Sequence, residues 1–293
     1  MESSGKVRTL KLLTTLENLP KKIASQAGPE PVHKLRTTIR RVESLLDTAG
    51  LARSGKSAKL LKQAARLRKR AGKVRDLDVQ IAALKQVKVE AAARDRKRVM
   101  RALEKARAKQ ENKLLAELES ARDHNFGKHV RRTREELLSA ASARQSRPGF
   151  DPVAQALDGF AELARGRGAL TETTLHDFRL RCKRLRYTAE MAGKTPAATA
   201  AIEQFTRIQD AAGEWHDWLT LTGTAEDKLG RSSSPLVSAL RAITRSKFLE
   251  AVRVTTDAER NLLAQREGRA RKAPRAEPAA PVEGPLRAVA GVS

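Results

Sequence analysis

The sequence is poor in several features on which many binding and catalytic proteins depend. Aromatic residues make up 3% of its 293 residues, so side chains that could stack on unpaired bases are sparse. A single cysteine, Cys182, excludes an internal disulfide and a thiolate metal cluster, and it fits a reducing compartment. No segment approaches about 18 uninterrupted apolar residues, and the N-terminus has no apolar signal core, so neither a membrane span nor a secretory signal is predicted. We therefore expect a soluble, cytoplasmic protein.

Acidic residues are also in the minority. The chain has 59 Lys and Arg residues against 34 Asp and Glu residues, which gives a net charge of +25 and a pI near 10.9. An excess of this size repels itself in a compact state and attracts polyanions. Nucleic acid, an anionic membrane and polyphosphate are therefore the candidate partners.

Alternating β-branched residues are rare, and apolar residues recur instead at every third or fourth position. This period is typical of amphipathic helices and predicts an all-α fold of about ten helices without a sheet. Turns are expected at Gly72 and Gly213, and the charged run 90–122 is expected to form a solvated helix with i,i+4 ion pairs. From Gly268 the composition changes to Ala, Pro and Arg, so residues 268–293 are predicted to form a disordered tail.

Two segments of the chain repeat one pattern at a spacing of 143 positions. Val32–Arg36 with Arg40 and Arg41, and Leu175–Arg179 with Lys183 and Arg184, both read apolar-His-x-apolar-Arg-x-x-x-basic-basic. Gly72 and Gly213 begin a second match, in which an Asp follows each glycine four positions later. The two matches predict an internal duplication within one domain, 1–267, with repeats at about 6–145 and about 149–267.

Each copy of the repeated helix is expected to have a cationic face and a separate apolar face. At about 100° per residue, His33, Arg36 and Arg40 share one side of the first copy, and Arg41 flanks them. Leu35, Ile39, Val42 and Leu46 occupy the other side. In the second copy His176, Arg179 and Lys183 share the polar face, Arg184 flanks it, Arg186 adds charge and Tyr187 adds a hydroxyl.

Cations grouped in this way repel one another, so the arrangement favours an anion that offsets the repulsion. Phosphate oxygens match it well, because guanidinium groups bind them bidentately, Lys acts as a point charge and His donates N–H groups. A single Arg-rich face is more often just solvated. A His at the same position in both copies favours a binding site.

At these residues the chain resembles the CHAD family, the conserved-histidine α-helical domain. The matching pieces are His33-x-x-Arg36-x-x-x-Arg40-Arg41, Arg75-Asp76-x-Asp78, Leu175-His176-x-x-Arg179-x-x-x-Lys183-Arg184-Leu185-Arg186-Tyr187, and Ile208-Gln209-Asp210 leading to Gly213 and Asp217. The Lys-Arg-Leu-Arg-Tyr run is the most specific of them. Glu43 and Ser44 stand where the second copy has Arg186 and Tyr187, so the two faces are unequal.

The resemblance implies an internally duplicated pair of antiparallel four-helix bundles, related by a pseudo-two-fold axis, around a central basic cavity. It also implies binding of inorganic polyphosphate and association with polyphosphate granules. The residues expected to line the cavity are His33, Arg36, Arg40, Arg41, His176, Arg179, Lys183, Arg184 and Arg186. Looser matches add Lys21, Lys22, Lys69, Arg70, Arg75, Arg131, Arg132 and Tyr187.

Two other classes of function remain open from the sequence: a nucleic-acid-binding protein, and an enzyme acting on polyphosphate or a nucleoside triphosphate. His216-Asp217 matches the dipeptide of metal-dependent phosphohydrolases, but a helix start or turn is the favoured position for Asp217. For Arg75-Asp76-x-Asp78, an Asp that orients a cavity Arg is favoured over a metal pair. No nucleophile or general base is identified, so we expect no catalysis, no cofactor and no metal. Nucleic acid is then a non-specific competitor, and other polyanions are further candidate partners.

Overall fold

The computed structural model describes residues 2–26, 28–52, 55–144, 151–230 and 234–272. In these ranges the chain forms nine α-helices, a short 3-10 turn at Glu90–Ala92 and no strand, which confirms the all-α prediction. The helices are α1 (Glu2–Ser25), α2 (Pro29–Thr48), α3 (Gly55–Gln86), α4 (Ala93–Asp123), α5 (Phe126–Arg144), α6 (Pro152–Arg165), α7 (Glu172–Glu190), α8 (Pro196–Leu229) and α9 (Pro235–Lys272).

Local sequence signals account for where the helices of the cationic motif begin. α2 follows an extended Gly28 and has Pro at its first turn, where a missing N–H costs nothing. α7 begins with a capping box. The hydroxyl of Thr171 accepts a hydrogen bond from the Thr174 backbone N–H, and the hydroxyl of Thr174 accepts one from the Thr171 backbone N–H. These starting points fix the register in which the motif side chains leave each helix.

The predicted breaks at Gly72 and Gly213 are wrong, because α3 and α8 each continue through their glycine. A glycine ends a helix when it takes a left-handed C-cap conformation, and neither residue does so. Inside a helix a glycine is about 1 kcal/mol less favourable than Ala. Both glycines lie beneath an arginine of the cationic motif. The close approach of Arg179 accounts for Gly213, whereas a Cβ at Gly72 would meet Arg36 only in ordinary van der Waals contact. α9 in turn continues to Lys272, so the predicted tail begins too early, and residues 273–293 lie outside the described ranges.

Four groups of buried side chains hold the described helices together, and the smallest of them comes from α7, α8 and α9. One cluster comes from α1 to α5 and another from α6 to α9, while a third combines residues of α3, α4, α8 and α9. The apolar face predicted for α2 is confirmed, since Leu35, Ile39, Val42 and Leu46 are fully buried. Cys182 is buried in the cluster of α6 to α9.

The two helices with the cationic motif pack against each other. α2 contacts α7, and α3 contacts α8, so the matched segments of the two halves meet along one seam. The internal duplication and its pseudo-two-fold axis stay predictions, and the boundary predicted between the two repeats, at residues 145–149, lies outside the described ranges. Among the described helices, none has a stretch long and apolar enough to cross a lipid bilayer.

Candidate functional site

A polar cleft with a volume of about 720 Å³ lies between α2, α3, α7 and α8. It is lined by His33, Arg36, Thr37, Arg40, Arg41, Arg75, Asp76, Val79, Gln80, His176, Arg179, Leu180, Lys183, Arg186, Tyr187, Gln209, Asp210, His216, Asp217 and Thr220. We refer to this space as the cleft. Its walls come from both copies of the repeated motif.

Most of the residues singled out in the sequence meet in the cleft. Of the nine principal candidates, eight line it, and Arg184 instead lies exposed outside it. Arg75 and Tyr187 are the two looser candidates that also line it. The candidates outside the cleft are Lys21, Lys22, Lys69, Arg132, Arg70 beside Glu117, and Arg131 beside Glu17. That any of these residues binds an anion stays a prediction.

Arg36 and Arg179, at matched positions of α2 and α7, each lie over a glycine of the next helix. A Cβ added to Gly72 would lie 3.9 Å from Nε of Arg36, and one added to Gly213 would lie 3.0 Å from Nη2 of Arg179. Arg36 donates from Nη1 to Oδ1 of Asp76 at 3.0 Å, and Arg179 donates from Nε to the Gln209 carbonyl at 3.4 Å. Both guanidinium groups are therefore held at the floor of the cleft by α3 and α8.

Glu190 links the two cationic helices at one side of the cleft. Its Oε2 lies 3.3 Å from Nε of Arg41 on α2, and its Oε1 lies 3.6 Å from Nε of Arg186 on α7. Both arginines line the cleft, so this carboxylate offsets part of their mutual repulsion.

Burial and, after it, mutual repulsion lower the pKa of cationic side chains in the cleft. Burial, reinforced by Arg40, Arg179 and other neighbouring arginines, lowers the pKa of Lys183 from 10.5 to about 7. Burial and neighbouring cations also lower the pKa of Arg40 and of His33. The lining residues include more Arg and Lys side chains than carboxylates, so part of this effect is mutual repulsion.

His216 and Asp217 also line the cleft, although neither was among the predicted lining residues. His216 packs against His176 with ring centroids 4.3 Å apart, and burial, His176 and Arg179 lower its pKa to about 4. Burial raises the pKa of Asp217 to about 6 against the opposing effect of Arg179. The helix-start or turn position predicted for Asp217 is wrong, because α8 is continuous at that point.

Asp76 and Asp78 have different partners. Asp76 pairs with Arg36, so the prediction that an Asp orients a cavity arginine is confirmed for this residue. Asp78 is buried and instead pairs with Arg107 of α4 at 2.6 Å, outside the cleft. Within the described ranges, no group of three or more His, Cys, Asp or Glu residues is arranged to hold a metal ion.

Gln209 adds a donor that was likewise absent from the predicted lining residues. Its side chain is 7% exposed and lines the cleft, and its Nε2 has no hydrogen-bond partner among the described residues. Nδ1 of His176 and Nδ1 of His216 are buried and likewise unpaired in this part of the chain. A buried polar group without a partner is costly, so a ligand with acceptor oxygens would satisfy the Gln209 amide at this end of the cleft.

The described helices form an all-helical fold in which two matched His-Arg helices, α2 and α7, line one basic cleft. The chain belongs to the CHAD domain family, whose sequence profile matches residues 11–226. The crystal structure of the CHAD domain from the plant Ricinus communis has the same fold, with a TM-score of 0.62 and 15% sequence identity over 89% of this chain and 91% of that chain. No curated protein sequence matches the chain.

Proposed function

We propose that the protein binds inorganic polyphosphate in the cleft, as its family membership also suggests. The excess of cations over carboxylates among the lining residues supports this proposal. The lining cations are Arg36, Arg40, Arg41, Arg75, Arg179, Arg186 and Lys183, and the lining carboxylates are Asp76, Asp210 and Asp217. A linear chain of phosphates presents an acceptor oxygen to each of these donors in turn, and charge-assisted hydrogen bonds of this kind are strong.

The shape of the cleft favours a flexible chain over a rigid polyanion. The walls belong to four helices that converge on one concave space, which a polyphosphate chain can enter and follow, and the lining cations come from α2, α3 and α7. A DNA duplex presents its phosphates on a stiff convex surface and would contact the rim of such a cleft. We therefore expect polyphosphate to bind far more tightly than duplex DNA, for which affinities of about 10⁻⁴ to 10⁻⁶ M are typical of non-specific binding.

We also propose that binding occurs without turnover. Asp76 is engaged by Arg36, and the carboxylate of Asp217 acts on the neighbouring Arg179. The lowered pKa of His216 keeps its ring neutral near pH 7. Incubation of the protein with long-chain polyphosphate, with and without Mg²⁺, should release no orthophosphate above the protein-free control. Release that depends on the protein would establish an enzyme instead.

The deciding experiment is a binding titration with long-chain polyphosphate beside duplex DNA at equal phosphate concentration, in about 0.15 M salt. Tight binding of polyphosphate with weak binding of DNA would support a shaped site. The affinity should fall steeply with salt, because bound cations displace counterions from the polymer. Equal affinity for the two polymers would contradict the proposal and favour a nucleic-acid-binding protein.

A further inference from the structure

The exposed face of α3 bears a row of cations outside the cleft. Lys59, Lys62, Arg66, Lys69 and Lys73 follow one another at intervals of three and four residues, and all five are exposed. This spacing places them on one side of the helix, along a line of about 21 Å. We refer to these five residues as the α3 row.

The α3 row starts at the edge of the cleft. Lys73 precedes Asp76 by one helical turn, and Asp76 and Gln80 line the cleft on the same helix. Gly72, beside Lys73, lies beneath the guanidinium of Arg36. A polyphosphate chain that leaves the cleft over Asp76 would therefore contact Lys73 first and then the other members of the α3 row.

No carboxylate within the described ranges forms an ion pair with any member of the α3 row. Successive members are three or four residues apart, so like charges are neighbours along its whole length, which destabilises the helix. The cations of α9 are arranged differently. Those paired with carboxylates include Arg241 with Glu226, Lys247 with Glu214, Arg253 and Arg260 with Asp257, and Arg266 with Asp158. Cations without a carboxylate partner are therefore a feature of the α3 row that these cations of α9 do not share.

The matching face of α8 has no such row. When Gly213 is aligned with Gly72, the five positions that correspond to the α3 row all lie exposed on α8. They are occupied by Ala200, Glu203, Arg207, Asp210 and Glu214. The matched glycines show that these helices are comparable around the cleft, but their exposed faces have opposite net charge. A polyanion that follows the surface out of the cleft is attracted along α3 and repelled along α8.

We propose that the α3 row is an extension of the binding site, so that the protein selects long polyphosphate chains, which leave the cleft along α3. This inference rests on the proposed function. A short chain fills the cleft alone, whereas a long one also contacts the row and gains further electrostatic attraction. Outside the cleft, the polyphosphate is held along α3 only, so it leaves the cleft in one defined direction.

The test compares two variants that lose the same charge at different places. One replaces the α3 row by Lys59→Gln, Lys62→Gln, Arg66→Gln, Lys69→Gln and Lys73→Gln. The other makes the same change at five exposed cations of α4, which are Lys97, Arg98, Arg101, Lys105 and Lys109 and do not line the cleft. Gln has nearly the helix propensity of Lys and Arg, and the changes relieve repulsion, so both variants should fold at least as stably as the original.

Affinity is measured for the original protein and both variants with tripolyphosphate and with polyphosphates of increasing length. The original protein should bind longer chains progressively more tightly. The α3 variant should bind tripolyphosphate normally and lose about tenfold or more with long chains, whereas the α4 variant should lose no more than about threefold. A third variant keeps every charge of the row and should behave like the original. Its changes are Lys59→Arg, Lys62→Arg, Arg66→Lys, Lys69→Arg and Lys73→Arg.

Three results separate the failure of this inference from the failure of the proposed function. Equal losses of affinity in the α3 and α4 variants would mean that affinity depends on the net charge of the protein and not on the position of the α3 row, and the inference would be wrong. An affinity in the original protein that does not increase with chain length would also overturn it, while binding in the cleft still stood. If the original protein binds no polyphosphate of any length, the proposed function itself fails.

Discussion

The guanidinium of Arg179 lies so close over Gly213 that an added Cβ would come within 3.0 Å of its Nη2 and 3.3 Å of its Nε. The matched contact in the first half is looser, because a Cβ on Gly72 would come no closer than 3.9 Å to Arg36. At the first distance the arginine must give way by a few tenths of an ångström, whereas the second is ordinary van der Waals contact. The same substitution at the two glycines should therefore have different consequences.

We expect Gly213→Ala to weaken polyphosphate binding about tenfold, which corresponds to one displaced charge-assisted hydrogen bond. The free energy of unfolding should hardly fall, because Ala favours the helix by about 1 kcal/mol and the displaced atoms end a flexible side chain. Gly72→Ala is the matched control. It should bind normally and be more stable by about 1 kcal/mol. Binding titrations and urea unfolding would measure both quantities, and equal affinities in the two variants would contradict the role given to the Arg179 contact.

Reversal of charge in the cleft should be far more harmful than the same reversal elsewhere. The double variant Arg36→Glu and Arg179→Glu should lose about 100-fold or more in affinity for long-chain polyphosphate, since two donors become repulsive. The control is Lys97→Glu with Lys105→Glu, on the exposed face of α4, for which a loss of about threefold is expected. Circular dichroism should show the same helix content in both. Equal losses would mean that the cleft is not the binding site.

The face of a helix was easier to predict from the sequence than its end. The apolar stripe of α2 and the cationic positions of α2 and α7 follow from helical period alone, and eight of the nine principal candidates line the cleft. The breaks expected at Gly72 and Gly213 were wrong because a glycine has two common uses in helices. Composition does not distinguish a C-cap from a site where another side chain must approach closely.

Charge alone also did not show which basic residues lie together. Lys21, Lys22 and Arg132 are as basic as Lys183, but they are exposed elsewhere on the surface. His216 and Asp217 were missed because their helix was expected to be interrupted beside them. The alignment of the two halves held a usable signal, since Asp217 corresponds to Asp76, which had been assigned to a cavity arginine. The pairing of Asp78 with Arg107 depends on the packing of α3 against α4, which no local pattern shows.

Polyphosphate binding should be coupled to proton uptake by Lys183. The pKa of this side chain is about 7 in the cleft, and adjacent phosphates would raise it toward its ordinary value of 10.5. Binding at pH 8 should then take up close to one proton at this site, and affinity should fall as the pH rises from about 7 to about 10. Calorimetric titrations in two buffers with different ionisation enthalpies would measure the uptake. Lys183→Met should remove most of it, and the same uptake in that variant would assign the effect to another group.

Asp217 should weaken binding at neutral pH and not at acidic pH. Its pKa is raised to about 6, so its carboxylate repels phosphates above that pH and is neutral below it. Asp217→Asn should therefore bind polyphosphate about threefold to tenfold more tightly than the original protein at pH 8, and equally well at pH 5. Titrations of both proteins at the two pH values would show this. Weaker binding by the variant at pH 8 would mean that the attraction between Asp217 and Arg179 supports binding more than the repulsion between Asp217 and phosphate opposes it.

Because Cys182 is buried, the reactivity of its thiol depends on how often the core around α7 opens. The residue is fully buried on α7, next in sequence to Lys183 of the cleft, and burial together with the Glu259 carboxylate raises the pKa of its thiol. Only the thiolate reacts readily with alkylating reagents, so modification must wait until the second-half core opens. The rate of alkylation therefore measures that opening without any engineered label. A polyanion that joins the walls of the cleft should slow alkylation in proportion to its occupancy.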